Sequence, residues 1–234
     1  SYWGRPHDYL WLCTTQPGLI YSEMKQAYDN NARQEWIVNI HDPKPAAYDL
    51  ELFMDMAWNI NSVSPSTINN HLGNWLIREF GESAGKKLLP VMQEYYRLCG
   101  IRRPEHMGWT QVELDKATHV RGLSWIKDTE FSNEFGGEMD RYLEHYAYIK
   151  KAVEDIKQDI SIEKRDAYFS HVEYQVCAAA DMATKMLEAQ RARSYANGQA
   201  TSHNYLNRNK QSVALNLKDS ASIALLKTKI SDYD

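Results

Sequence analysis

EWIVNIHDPKP, running from Glu35 to Pro45, decides how the chain is read. Trp36-Ile37-Val38-Asn39-Ile40 is a run rich in β-branched residues, flanked on both sides by sequence with a helical period. Such a run is expected to be a parallel strand covered on both faces. His41 and Asp42 then form a polar tip, and Pro43-Lys44-Pro45 a rigid exit. In α/β folds the loops beyond the C-terminal ends of strands converge on one mouth, where ligands are bound. Asn39, near that end, is therefore a candidate contact, although its spacing alone fits a residue that only satisfies a loop carbonyl.

Upstream, Tyr9 to Thr14 (YLWLCT) reads as a short strand or extended segment. Pro17-Gly18 opens a helix to about Asn31, with Leu19, Ile20, Met24, Ala27 and Tyr28 on one face. Downstream, a helix capped by Asp49 is expected to turn Leu50, Phe53, Met54, Ala57 and Trp58 inward. Strand, helix, strand, loop, helix is the order of a (β/α) series. Two strands cannot close a barrel, so residues 1–60 are expected to be the last strand/helix units of a (β/α)8 barrel.

From about residue 61 the character changes. Ser64-Pro65 starts a helix that stops at Gly81, and a second runs from about Ser83 to Cys99, with a kink or short break expected at Pro90. Residues 101–137 lack a clean period. Met139, Tyr142, Leu143, Tyr146, Ile149, Val153, Ile156 and Ile160 recur near a heptad spacing. A long helix follows from about Lys164 to Tyr195, then a break at Asn197-Gly198 and a last helical stretch reaching Ile230. The expected fold class is mainly α: barrel-end units over residues 1–60, then a helical bundle over 61–234.

Composition narrows the function classes. The 234 residues hold 43% hydrophobic and 25% charged side chains, as in an ordinary globular protein with a real core. A net charge of −4 leaves no basic face for nucleic acid. No apolar run is long enough to span a membrane, so neither nucleic acid nor membrane is expected as a partner. Cys13, Cys99 and Cys177 are odd in number and widely spaced, which fits small buried hydrophobes better than a disulfide framework or a zinc site. No cofactor or metal is expected. His7-Asp8 and His41-Asp42 are adjacent pairs that suit a solvated surface, and the helical histidines lack H-E-x-x-H spacing. The 15 Tyr and 7 Trp suit sugar-stacking platforms and helical cores alike.

Two motifs carry a resemblance. The chain opens S-Y-W-G-x-P-x-x-Y-x-W (Ser1, Tyr2, Trp3, Gly4, Pro6, Tyr9, Trp11), and Trp36 to Pro45 reads W-I-V-N-x-x-D-x-K-P, followed by the helix LELFMDMAW. Together they resemble glycoside hydrolase family 115, the xylan α-1,2-glucuronidases. The resemblance covers the first sixty residues well and the helical remainder more loosely. It implies an internal piece of a much longer enzyme that removes (4-O-methyl)glucuronic acid from glucuronoxylan-type oligosaccharides with inversion. It also implies a periplasmic or extracellular setting. The family's active-site Tyr corresponds to Tyr2, and its substrate-contacting Asn to Asn39, with Asp42 beside it. His41 stands where the family usually carries Gly, which reshapes the tip.

Glycoside hydrolysis needs two carboxyl groups. Asp8, Glu35 and Asp42 read better as turn or loop residues, so the acid and base are expected on strands outside this chain, and the chain alone is expected to be inactive. Tyr2 can donate to a carboxylate or a positioned water. The Asn39 amide can donate to a uronate and accept from a hydroxyl. The rival reading is a helical interaction or dimerisation module, self-associating as a homodimer through the near-heptad helix 139–160 or the bared strand at 36–40; a third is a family member that has lost activity.

Overall fold

The computed structural model describes residues 11–40, 42–107, 129, 131–132 and 136–207, with side chains as far as residue 196. The chain divides into two compact units, residues 1–191 and 192–234. Of the second, the described part is helical backbone to Asn207. Apart from one β-bridge at Asn39, all regular structure among the described residues is helical, and no helix there is long and apolar enough to cross a membrane.

Residues 11–16 are irregular and lead into α1, Pro17–Asp29. Pro17 sits at the first helical position, where its missing N–H costs nothing, and the Gln16 carbonyl accepts from Leu19 and Ile20. Ile20 and Met24 face inward; Leu19, expected on the same face, is exposed. The expected strand after α1 is an extended segment with one covered face. Trp36, Val38 and Ile40 pack on Ile20, Met24, Leu52, Phe53 and Met56, whereas Ile37 is 69% exposed and Asn39 faces solvent. Period-two alternation of this kind belongs to an extended chain lying on a single layer. α1 and the next helix supply that layer, and nothing among the described residues covers the other side.

That next helix is α2, Ala47–Trp58, and its inward face is turned from the expected one. Tyr48, Asp49, Leu52, Phe53 and Met56 are buried, while Met54 is exposed and Trp58 is 93% exposed. Asp49 explains the rotation. It lies within the first turn of the helix rather than at its cap, and partners within the core draw it inward.

α3 (Ile68–Phe80) and α4 (Glu82–Ile101) form the expected hairpin. Gly81 makes the corner at φ 86°, a conformation that costs a side-chain-bearing residue. One turn later Gly85 lets the helices close up: a Cβ there would lie 2.6 Å from the backbone of Ile77. α4 runs unbroken through Pro90. Pro90 and the Lys86 whose carbonyl it deprives are both exposed, so water can serve that carbonyl.

α5, Glu138–Ile156, starts after Gly136 and Gly137, both at positive φ. Its near-heptad stripe is core: Tyr146, Ile149 and Val153 are fully buried in one cluster with Leu76, Leu88, Leu98 and Val176. The stripe proposed for self-association is thus covered within the chain. Tyr142 donates to the carbonyls of Leu98 (3.3 Å) and Arg102 (3.0 Å), which closes the end of α4. After short turns, α6 (Arg165–Tyr168) passes through a wide π turn at Phe169–Glu173 into α7, Tyr174–Asn207. Small Ala179, Ala180 and Ala183 lie on α7's inner face, and the helix continues past the break expected at Asn197-Gly198. The apolar positions expected beyond Asn207 lie outside the described residues.

Candidate functional site

Of the residues singled out in the sequence, Tyr2 and His41 lie outside the described residues. Asn39 is exposed at the far end of the extended segment, and Asp42 is exposed at the start of the turn into α2, where its carbonyl accepts from Ala46. Both side chains are exposed. Beneath them Trp36 is fixed: its ring is 5.7 Å from Phe53 and its indole N–H donates to Ala32.

The segment following the first motif and the helix following the second meet in a buried polar cluster that sequence reasoning missed. Cys13 donates through Sγ to Asp49 Oδ2 at 3.1 Å, and Tyr96 OH donates to Asp49 Oδ1 at 3.4 Å. Cys13 N–H donates to Gln175 Oε1 at 2.9 Å, and Tyr95 OH to the Cys13 carbonyl at 3.1 Å. Next door, Thr14 Oγ1 donates to Glu105 Oε1, and Gln16 Nε2 donates to the Tyr96 carbonyl at 2.8 Å. Residues 13–16 are thereby bound to α2, α4, the 3-10 turn Pro104–His106 and α7.

Burial sets the protonation of this cluster. Asp49, 1% exposed, is pushed up to about 7 by loss of hydration, against the donors Cys13 and Tyr96 and the charge of Arg103. Burial also raises Glu105, against its bond from Thr14, and holds the Cys13 thiol well above the ordinary range. A carboxyl poised near neutrality suits a general acid, but Asp49 and Glu105 are 1% and 4% exposed, and no substrate reaches them. The cluster positions chain segments. The only hint in the sequence was Asp49 itself, which a helix start explains equally well.

A second grouping lies between α2 and α3. Ligand atoms of Glu51, Asp55 and His71 fall within 4.8 Å of one another, with His71 Nε2 2.9 Å from Asp55 Oδ2. These are residue types that can hold a divalent cation. Arg78 already forks onto both Glu51 oxygens, at 2.7 and 2.6 Å, and supplies the positive charge a metal would bring. The i,i+4 spacing of Glu51 and Asp55 was visible in the sequence, but the approach of His71 from α3 was not.

The family model of Glycosyl hydrolase family 115 matches residues 1–106, well past the motifs and through the α3–α4 hairpin. A solved structure described as a family 115 4-O-methyl-α-glucuronidase with specificity for decorated arabinogalactans is similar to this chain at 46% identity, with a TM-score of 0.71. The chain belongs to glycoside hydrolase family 115. The likeness covers 82% of this chain and 24% of that one, so the chain spans about a quarter of its solved relative. No curated protein matches the chain. Asn39 and Asp42 lie in the segment that the second motif marks, and the buried cluster joins residues 13–16, before that segment, to Asp49, after it.

Proposed function

We propose that this chain is part of a longer inverting glycoside hydrolase that releases (4-O-methyl)glucuronic acid side chains from a plant polysaccharide. Membership of family 115 carries the reading. Residues 1–60 are the closing units of its (β/α)8 barrel and 61–234 a helical bundle packed behind it. The uncovered face of Ile37 and Asn39 is then the side turned toward the rest of the barrel. Glucuronoxylan is the substrate the motifs point to; decorated arabinogalactan is the one named for the solved relative.

Tyr2 meets developing charge or the attacking water, while Asn39 and Asp42 bind the sugar. The acid and base lie on other strands, and the isolated chain is inactive because one phenol and one amide cannot both protonate a leaving oxygen and activate water. A polymeric substrate that cannot enter a cell places the enzyme in the periplasm or outside. Any homodimer uses a face other than the buried stripe of α5.

The test is release of uronic acid from glucuronoxylan and from decorated arabinogalactan by the chain, by the longer enzyme, and by its Tyr2→Phe and Asn39→Ala variants. The chain should show no turnover. Each variant should lose about 1–3 kcal/mol of transition-state stabilisation. The anomer first formed, read by proton NMR, should be inverted. Turnover by the chain alone, or wild-type rates in both variants, would overturn the assignment.

A further inference from the structure

Two grooves adjoin along the outer side of α1. One, of about 420 Å³, is bounded by Gln16, Asn69, Gln93 and Arg97 around a floor of Tyr48, Leu72 and Tyr96. The other, of about 680 Å³, is bounded by Tyr21, Ser22, Lys25, Gln26 and Asp29 on α1 and by Pro65 across from it. Both are lined by Gly18 and Ile68, so those two residues form a saddle between them.

The chemistry of the lining is specific in three respects. First, the side-chain amides of Asn69 and Gln93 have no hydrogen-bond partner among the described residues, so their donors and acceptors are free for a ligand. Second, Tyr48, Leu72 and Tyr96 close the bottom of the smaller groove as an apolar surface on which the C–H face of a sugar ring can rest. Third, the charges are already balanced: Lys25 is paired with Asp29 at 2.5 Å, and Arg97 with Glu94 at 2.6 Å. Free amides over an apolar floor, with no spare charge, fit a neutral, hydroxyl-rich molecule whose C–H faces rest on the floor. A uronate or phosphate would find no unpaired cation there.

We infer that this double groove, lined by residues other than those assigned above to the reaction, is a binding site for a neutral β-linked pyranose oligosaccharide and holds an undecorated stretch of the polysaccharide main chain. The ligand class rests on the hydrolase reading above. The contacts do not, because the site needs no catalytic residue. Gly18 offers a discriminating change: a side chain there meets nothing within 4 Å, so it fits the fold while filling the saddle.

The test is calorimetric titration of the 234-residue chain with neutral xylo- and galacto-oligosaccharides of two and six units, and with a six-unit aldouronic acid. At least one neutral series should bind, more tightly at six units than at two, and the acid should bind no better than its neutral counterpart. Asn69→Ala and Gln93→Ala should each weaken binding about five-fold, as expected for one lost hydrogen bond. Gly18→Leu should abolish the gain from two units to six. Both amides are on the surface, so helical circular dichroism should be the same in all variants. No binding by either neutral series, clear preference for the acid, or affinity indifferent to Asn69, Gln93 and Gly18 together would overturn the inference. Hydrolysis by the longer enzyme is measured separately and can succeed whichever way this titration falls.

Discussion

Asp49→Asn should remove one pH-dependent part of the chain's stability, so that the variant is the less stable protein in acid and the more stable one above neutrality. Asp49 is 1% exposed, and its neighbours Cys13 and Tyr96 offer it neutral donors. Its proton is held to about 7, against 3.8 for a hydrated carboxyl. At ~1.4 kcal/mol per pH unit, that difference is worth about 4 kcal/mol. The sign follows from linkage. Below about pH 4 the group is protonated whether the chain is folded or not, and its contribution is complete. As pH rises toward 7, the unfolded chain has lost the proton while the folded chain keeps it. Stability therefore falls, and it levels off only above the folded value.

Asparagine removes the titration but keeps the shape. It offers one acceptor where Cys13 and Tyr96 both donate, so one bond is lost, costing about 1 kcal/mol. Wild type should then be the more stable by ~1 kcal/mol at about pH 3 and the less stable by ~3 kcal/mol at about pH 8, with the curves crossing at about pH 4.5. Urea denaturation followed by far-ultraviolet circular dichroism at half-unit pH steps measures the difference, and groups common to both proteins cancel. A difference that stays constant within about 1 kcal/mol across that range would show that Asp49 is hydrated or already ionised in the fold.

Gly85→Ala drives a Cβ to 2.6 Å from the Ile77 backbone and should cost ~2–3 kcal/mol in thermal or urea denaturation; an unchanged melting temperature would mean that α3 and α4 do not approach as closely as described. With Ellman's reagent near pH 8, Cys13 and Cys99 should react only on unfolding, and Cys177, its thiol pushed up to about 11, only slowly. Rapid labelling of two thiols in native protein would contradict that burial.

What the sequence made legible is what a local pattern can carry. The stripe Met139, Tyr142, Tyr146, Ile149, Val153, Ile156 is the buried face of α5 because a 3.6-residue period leaves little choice of face. The Gly81 corner and the Pro17 start were readable for the same reason. What misled was sequence with two local solutions. Trp36 to Ile40 reads as a strand buried on both sides, yet it is covered on one, since burial of the other depends on whatever the chain is set against. Pro90 reads as a break, but its consequence depends on whether the deprived carbonyl faces water, and here it does.

The polar cluster lay further out of reach. Its bonds join Cys13 to Asp49, Thr14 to Glu105 and Cys13 to Gln175, across 36, 91 and 162 residues of chain. An aspartate in the first turn of a helix looks the same whether it caps the helix or is sealed in the core. The choice between those roles is made by the partners that folding brings, and it has a structural consequence. With Asp49 drawn inward, α2 turns Tyr48 and Met56 toward the core and leaves Trp58 to solvent. The same bonds hold residues 13–16 against that helix. Residues 13–16 and the first turn of α2 are therefore tied together by one buried carboxyl, so a substitution at Asp49 should loosen both at once.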